Sequence, residues 1–240
     1  MPYRRLPNTD QARLRALRTT IEQSEKLHFD AQIVSYKTLH EAKTYLGVFE
    51  KQLSQYQQTL DTQVAANKRY LHILHNARLY ISHFIQVFNL SVIRGDIKLE
   101  HKNFYHLDPN MHNVPDLSSE SALLHWGQCI IDGESERVKL GGLPIYNPTI
   151  AKVKVHFEVF KEYKANQKRY QLTTNRNWEE LVALRERGNE IILDIWNQVE
   201  ACFKDDKPYA RLMKCTQFGL VYYYRKGEKH LTIEDDLAAI

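Results

Sequence analysis

Apolar residues recur in two long stretches of this 240-residue chain, and the two stretches align with each other at a shift of 111 positions. The shift places Leu46 on Phe157 and Ile81 on Ile192. The residues match in kind rather than in identity, which is typical of two copies of one helical unit with a linking segment between them. The sequence therefore predicts an internal duplication, which constrains the architecture and not the activity.

Prolines mark where these stretches begin and end. None lies between Pro7 and Pro109 or between Pro148 and Pro208. The segment between the two stretches contains four, at positions 109, 115, 144 and 148. An interior proline removes a backbone donor and clashes with the preceding turn of a helix. Each proline-free stretch can therefore form a long helix.

Both stretches carry an apolar seam whose residues alternate three and four positions apart, as heptad packing requires. The first seam comprises Ala42, Leu46, Phe49, Leu53, Tyr56, Leu60, Gln63, Asn67, Tyr70, Leu74, Ala77, Ile81, Phe84 and Phe88. The second comprises Val153, Phe157, Phe160, Lys164, Gln167, Gln171, Thr174, Trp178, Leu181, Arg185, Gly188, Ile192, Ile195 and Val199. The phase of each seam continues through a polar middle.

Each stretch is either one helix of about 50 residues, roughly 75 Å long, or a hairpin of two shorter helices. A turn has no reason to preserve the phase, and residues 62–68 contain neither glycine nor proline. Residues 173–175, Thr-Thr-Asn, are more turn-like. We favour two continuous helices; two hairpins would form a four-helix bundle.

The predicted fold class is all-α, an internally duplicated long-helix bundle with short accessory helices and a small C-terminal β-hairpin.

Polar cap residues predict the accessory elements. Thr9 or Asp10 begins a helix over residues 10–25, and Ser35 caps the first long helix. Ser118 or Ser119 caps a further helix that ends near residue 140, before two glycines. Residues 96–117 read as irregular, and the Asn-Pro pair at 147–148 begins the second repeat.

The C-terminal tail predicts a β-hairpin. Residues 218–224 are typical of a strand, and Lys226-Gly227 turns the chain back through residues 231–233. The domain layout is then residues 1–95, a short helix with the first repeat; 96–146, a linking segment with a short helix; 147–206, the second repeat; and 207–240, the tail. We expect all four segments to pack as one domain.

The composition is that of a soluble protein, with 43% hydrophobic and 26% charged residues. Cys129, Cys202 and Cys215 form no C-x-x-C pair and are too few for a disulfide framework. No apolar run reaches 18 residues, and no apolar segment follows the N-terminal arginines. We therefore expect a cytoplasmic protein with no membrane span.

Histidines raise a metal hypothesis, because three of them lie near one helical face and the shift adds two acids at equivalent positions. The set is His72, His75, His83, Glu186 and Asp194. A di-metal bundle site needs Glu-x-x-His on two helices, and only Glu25 with His28 has that spacing. Surface or hydrogen-bonded histidines are the favoured interpretation.

The irregular segment holds a second histidine group, His101, His106 and His112, with Asp108 and Asp116. No H-E-x-x-H motif accompanies them, so loop solvation is favoured. Cys129 and Cys202 are predicted to be buried structural thiols. No nucleophile motif or phosphate-binding glycine loop is present. The sequence therefore assigns no catalytic, cofactor-binding or metal-ligating residue and implies no cofactor.

Residues 151–177 carry seven lysines and arginines against two glutamates, with aromatic residues between them. Basic residues neutralise phosphates, and aromatic rings stack on bases. Phe157 and Phe160 already belong to the seam, however, so a solvated basic face is favoured. The whole chain has a net charge of +4, which permits a polyanion contact without requiring one.

The polar middles of the seams place six residues where a dry stripe is expected: Gln63, Asn67, Lys164, Gln167, Gln171 and Thr174. A buried polar group without a partner costs about 1–3 kcal/mol. We predict that the helices part or bend here and leave a hydrated section, which sets the helix register or admits a small ligand.

Four segments resemble a family of uncharacterised, mainly helical proteins from Bacteroidetes. They are RRLPNTD (4–10), ARLYISHFIQVFN (77–89), PIYNPTIAKVK (144–154) and FGLVYYYRK (218–226). The resemblance spans nearly the whole chain, and the second segment is its most specific part. It implies the same domain layout and a bacterial cytoplasmic setting, and it transfers no functional residue.

These patterns predict a non-enzymatic helical scaffold or interaction protein that self-associates, as a homodimer, or binds another protein partner. The alternative is a nucleic-acid-binding protein that uses the basic first helix and residues 151–177. A metal-dependent enzyme built from the histidine and acid set named above is the least favoured hypothesis.

Overall fold

The structure is a computed structural model that describes residues 2–237, apart from the side chain of Phe29. Its helices are α1 (Asp10–Lys26), α2 (Tyr36–Ile93), α3 (Glu120–Lys139), α4 (Ile150–Cys202), α5 (Pro208–Gln217) and α6 (Ile233–Leu237). Short 3₁₀ segments cover Phe29–Ala31 and Leu99–Tyr105, and the strands are β1 (Tyr3–Arg4) and β2 (Tyr222–Tyr223). The all-α class with two long helices is confirmed.

The two long helices are continuous. α2 has 58 residues and α4 has 53, and neither is broken in its polar middle. The hairpin alternative is therefore wrong. Without a proline in either stretch, the backbone hydrogen-bond ladder of the helix can run unbroken through the polar residues.

Helix starts agree closely with the predicted caps. Three predicted caps are confirmed, because each side-chain oxygen accepts a hydrogen bond from a backbone N–H three residues later. The pairs are Thr9 with Ala12 at 3.2 Å, Ser35 with Thr38 at 3.3 Å and Ser119 with Ala122 at 3.1 Å. The predicted start of α4 at the Asn-Pro pair is wrong. Helix α4 begins at Ile150, and the Thr149 hydroxyl accepts from the N–H of Lys152 at 3.4 Å.

The described chain belongs to two compact units, divided in the polar middles of α2 and α4. Unit 1 comprises Met1–Thr59 and Thr174–Ile240, and unit 2 comprises Leu60–Thr173. Each unit therefore contains part of both long helices. The internal duplication and the packing of all segments as one domain stay predictions.

In unit 1 the first part of α2 runs antiparallel to the last part of α4. The Thr38 hydroxyl donates to Asp194 at 2.8 Å, and the Tyr45 hydroxyl donates to the carbonyl of Leu184 at 2.8 Å. Gly188 permits this approach, because a Cβ atom there would collide with the Tyr45 hydroxyl. The core of unit 1 includes Leu17, Phe49, Ile192, Trp196, Val199, Phe218 and Leu220.

In unit 2 the last part of α2 runs antiparallel to the first part of α4, and α3 packs against both. Gly127 of α3 lies so close to Phe157 of α4 and Ile81 of α2 that a Cβ atom would clash with both side chains. The core of unit 2 includes Ile81, Phe84, Phe88, Tyr105, Ile130, Phe157 and Phe160. Most residues of the predicted seams are buried, whereas Asn67, Gln171 and Trp178 are exposed.

The two-stranded antiparallel sheet is present, but its strands come from opposite ends of the described chain. Strand β2 lies in the predicted stretch, and it pairs with β1, Tyr3 opposite Tyr223. The predicted return strand at 231–233 is wrong, because Asp235 accepts hydrogen bonds from the backbone and hydroxyl of Thr232 and starts helix α6 there. Asp236 in turn accepts from two backbone N–H groups at the start of α5.

Candidate functional site

A groove in unit 2 brings together the basic residues and the polar seam residues that the sequence singles out. Along α4, Lys161, Lys164, Lys168 and Gln171 recur three or four positions apart and so share one helical face. They form one wall of an open groove of about 530 Å³, which we call the lysine groove. The other lining residues are Tyr70, Glu120, Leu124, Ala165 and Gln167.

Glu120, the first residue of α3, is the acidic group of the lysine groove. One of its oxygens accepts a hydrogen bond from the Tyr70 hydroxyl, and the other lies 3.0 Å from Nζ of Lys164. The bond from Tyr70, followed by that from Lys164, holds the pKa of the Glu120 carboxyl below its usual range. Burial and the bond to Glu120 raise the pKa of Tyr70. Near neutral pH this pair therefore stays an ionised acceptor and a protonated donor, which suits binding rather than proton transfer.

The three lysines of the groove have different partners. Nζ of Lys161 lies 2.9 Å from Glu158 and 5.1 Å from the centre of the Phe157 ring. Lys164 pairs with Glu120, and Lys168 forms no ion pair with any residue between 2 and 237. The groove thus has a surplus of positive charge.

The arginines of the N-terminal region are largely engaged within unit 1. Arg18 pairs with Glu50 at 2.6 Å, and Arg4 pairs with Glu200 at 2.9 Å. Arg13 lies 3.3 Å from Asp10. These carboxylates reduce the positive charge that the first helix was predicted to offer to a polyanion.

Gln167 lies at the inner edge of the lysine groove, in the polar middle of the seam. Its Nε2 donates to Oδ1 of Asn67 at 3.1 Å, so this amide pair joins α4 to α2. Gln167 also lines a second cavity of about 160 Å³, which shows that space remains on two sides of this side chain. Buried Oε1 atoms of Gln167 and Gln63 accept no hydrogen bond from a described residue. The polar section is therefore incompletely packed; its hydration stays a prediction.

The face of α2 opposite the core of unit 2 carries exposed apolar residues, with Lys68, His75 and Gln86 between them. Its residues, which we call the outer stripe, have exposed fractions between 48% and 59%: Val64, Leu71, Leu79, Leu90 and Ile93. Single exposed apolar residues are ordinary on protein surfaces, but these five share one helical face over about 44 Å. The outer stripe is therefore a candidate contact surface for a partner, although polar residues interrupt it.

The candidate metal residues are not brought together. His72, His75 and His83 are exposed on α2 in unit 2, and Nε2 of His72 lies 3.3 Å from Nδ2 of Asn76. Glu186 and Asp194 belong to unit 1, where Asp194 accepts hydrogen bonds from Thr38 and Gln198. Among the described residues, no group of three or more His, Cys, Asp or Glu side chains can hold a metal ion.

In the irregular segment, a lysine that the sequence did not single out organises the loop. Lys102 is fully buried, and its ammonium donates to the carbonyls of Asp108 and Met111 at 3.3 and 2.7 Å. It also lies 3.2 Å from Nδ1 of His112. Burial lowers the pKa of Lys102. A fully buried lysine must find partners, and here the loop carbonyls supply them, so this segment is ordered rather than merely solvated.

The remaining candidates of the irregular segment and the thiols have local roles. Asp116 accepts from the backbone and hydroxyl of Ser118, both at 2.8 Å, and His106 ends the 3₁₀ segment with a φ of 56°. Of the predicted buried thiols, Cys129 is half-buried and Cys202 is exposed. That prediction is wrong for Cys202 because it is the last residue of α4 and lies beyond the packed face that ends at Val199.

No model of a known protein family matches this chain, and neither a curated protein nor a solved structure shows significant similarity to it. The resemblance to helical Bacteroidetes proteins therefore stays a prediction. None of the helices within residues 2–237 has an apolar segment long enough to cross a membrane.

Proposed function

We propose that this protein is a non-enzymatic helical scaffold that self-associates as a homodimer through the outer stripe of α2. The observation that carries the proposal is the exposure of five apolar side chains on one face of α2 between Val64 and Ile93. A second copy of the chain fits this surface, because a two-fold axis brings the same apolar stripe from both copies together. Burial of the stripe removes apolar area from water, which drives association.

The chemistry of the lysine groove supports a binding role rather than a catalytic one. Tyr70 and Lys164 hold Glu120 in its ionised form. A general acid or base needs a pKa near the working pH, and the shifts in this pair move both groups away from it. The resemblance and the three free cysteines support a bacterial cytoplasmic setting for the scaffold.

The test is the mass of the full-length protein in solution. We expect sedimentation equilibrium to give twice the chain mass of 28.3 kDa for the wild type and the chain mass itself for the Leu71→Glu, Leu79→Glu double variant. Val155→Glu is the matched control, because Val155 is an exposed apolar residue of α4 outside the outer stripe. Circular dichroism should show the same helix content in all three proteins. A wild-type monomer at every concentration would refute the proposal.

The lysine groove favours a second candidate function, binding of single-stranded nucleic acid. Lys161, Lys164 and Lys168 share one face and span about 10 Å along α4, enough to contact a few consecutive phosphates. The triple Lys→Glu variant should then abolish the binding of a labelled oligonucleotide, and the wild-type affinity should fall steeply with salt. Equal binding by the variant, or no binding by the wild type at about 50 mM salt, would reject this function.

A further inference from the structure

A second cavity of unit 2 is built around a buried arginine. The side chain of Arg137, in the last turn of α3, is only 2% exposed and pairs with Glu134 at 2.9 Å. Its Nε donates to the Tyr105 hydroxyl at 2.8 Å, and its Nη2 donates to the carbonyl of Leu143 at 2.8 Å. Two of the three guanidinium nitrogens are therefore held in place by the protein.

The third nitrogen, Nη1 of Arg137, donates to no residue within the described chain. Arg137 lines an open cavity of about 640 Å³ between the end of α2 and the loop that follows α3. Gly142 of that loop lies against the guanidinium, and a Cβ atom there would be 2.7 Å from Nη1. A glycine at this position leaves room beside a donor whose other side is already fixed.

The polar residues around this cavity, which we call the Arg137 pocket, leave one positive charge without a partner. Glu134 compensates Arg137, and Asp96 pairs with Arg94 at 3.0 Å. Lys98 also lines the pocket and forms no ion pair with the described residues. The local balance therefore suits a ligand with a single negative charge.

A further unsatisfied group lies in the same wall. Nδ1 of His101 is buried and has no hydrogen-bond partner among residues 2–237. Buried polar atoms are normally paired, so this side chain has an unmet hydrogen bond next to the cavity wall. A ligand oxygen reaches this atom only when the imidazole turns toward the cavity, because Nδ1 is closed to solvent in this structure.

The rim of the Arg137 pocket is apolar. Leu143 and Tyr146 are exposed by 79% and 78%, and both line the pocket. Ile97 and Pro144 add apolar surface. A ligand that binds the basic groups of the pocket can therefore place an apolar body against this rim, and contact between the two removes apolar surface from water.

We propose that the Arg137 pocket binds a carboxylate attached to an apolar body, either a free organic acid or the C-terminal carboxylate of a peptide. The carboxylate accepts from Nη1 of Arg137 and from Lys98, because charge-assisted hydrogen bonds of this type are the strongest available to it. A phosphate would bring a second negative charge that no unpaired cation of the pocket balances. The site shares no residue with the outer stripe, so it goes beyond self-association and can be tested separately.

The experiment is an NMR titration of the full-length protein with two pairs of probes. One pair is octanoate and octanamide; the other is the peptide acetyl-Ala-Leu-Phe with a free and with an amidated C terminus. Both carboxylates should shift the backbone resonance of Gly142 and the Nε–Hε resonance of Arg137, with a Kd of about 1 mM or lower. Each amide should bind about tenfold more weakly or worse, since it lacks the charge.

Lys98→Ala tests the charged wall without disturbing the buried ion pair, because the side chain of Lys98 is exposed. We expect this variant to weaken carboxylate binding about tenfold. Lys139→Ala, which removes an exposed lysine of α3 that does not line the pocket, should bind like the wild type. Binding of octanoate alone assigns a free acid, and binding of the peptide alone assigns a chain terminus. Three results would overturn the proposal: no resonance shift with either carboxylate, amides that bind as tightly as the carboxylates, or an equal loss of carboxylate affinity in the two lysine variants.

Discussion

Gln167 and Asn67 form a single amide-to-amide hydrogen bond of 3.1 Å that joins the two long helices within unit 2. The pair occupies the polar middle of the seam, where apolar contacts are otherwise expected. Because Oε1 of Gln167 is buried and unpaired, the contact is only partly satisfied. Such a pair specifies register at a cost in stability, as polar residues at seam positions do in coiled coils.

Replacement of Gln167 by leucine should therefore stabilise the protein. The change removes a buried unpaired oxygen and adds apolar contact, so we expect the free energy of unfolding to rise by about 1 kcal/mol. Gln171→Leu is the control, because Gln171 lies one turn further along α4 and is exposed. The measurement is the urea midpoint by circular dichroism. An equal rise in both variants would mean that surface helix propensity, and not the seam, causes the effect.

The buried pair of Glu134 and Arg137 should be critical for folding. Their side chains are 1% and 2% exposed, and Glu134 also accepts from the backbone N–H of Ile145 at 3.0 Å. Glu134→Gln leaves the guanidinium buried without a counter-charge, so we expect a loss of about 3–5 kcal/mol in the free energy of unfolding. Glu136→Gln, at an exposed position of the same helix, should change it little. A similar small change in both variants would show that the pair is solvated.

Acid should weaken the contact at Glu120. The pKa of this carboxyl is lowered in the folded protein relative to its usual 4.5, so the folded state favours the ionised form. The stabilisation is present above pH 4.5 and is lost as the pH falls through the lowered pKa. Because the side chain is 42% exposed, solvent screening keeps the effect small.

The measurement is the urea midpoint between neutral pH and the acid range. In the Glu120→Gln variant the midpoint should fall less on acidification than in the wild type, because the titrating group has been removed. Tyr70→Phe removes the largest cause of the pKa shift, so its urea midpoint should also fall less on acidification than that of the wild type. Parallel acid profiles in all three proteins would contradict the assigned cause.

Much of the fold could be predicted from the sequence. Caps at Thr9, Ser35 and Ser119 start the first three helices, and unbroken seam phase predicts that the long helices are continuous. These signals are local, because a cap acts within one turn and seam periodicity within one helix. The same periodicity placed Gln167 on an inward face.

The sequence did not predict strand β1 as the partner of β2, helix α5, or the burial of Lys102 and Arg137. Strand β1 was missed because two residues carry no periodic signal, and their pairing with β2 spans almost the whole described chain. Nothing local distinguishes Lys102 or Arg137 from the solvated cations around them. Trp178 was assigned to the seam, but it is 42% exposed and lies under the Arg185 guanidinium at 4.4 Å.

The sequence by itself determined where the first three helices begin, that the two long helices are continuous and which residues form most of their buried seams, since caps and periodicity act over a few residues. Tertiary structure alone decided which polar groups became buried, which lysines came to line one groove, and that the outer stripe of α2 stays uncovered. Burial and charge pairing depend on side chains that are distant in the chain and meet only after folding. The candidate sites of this protein consist of such contacts.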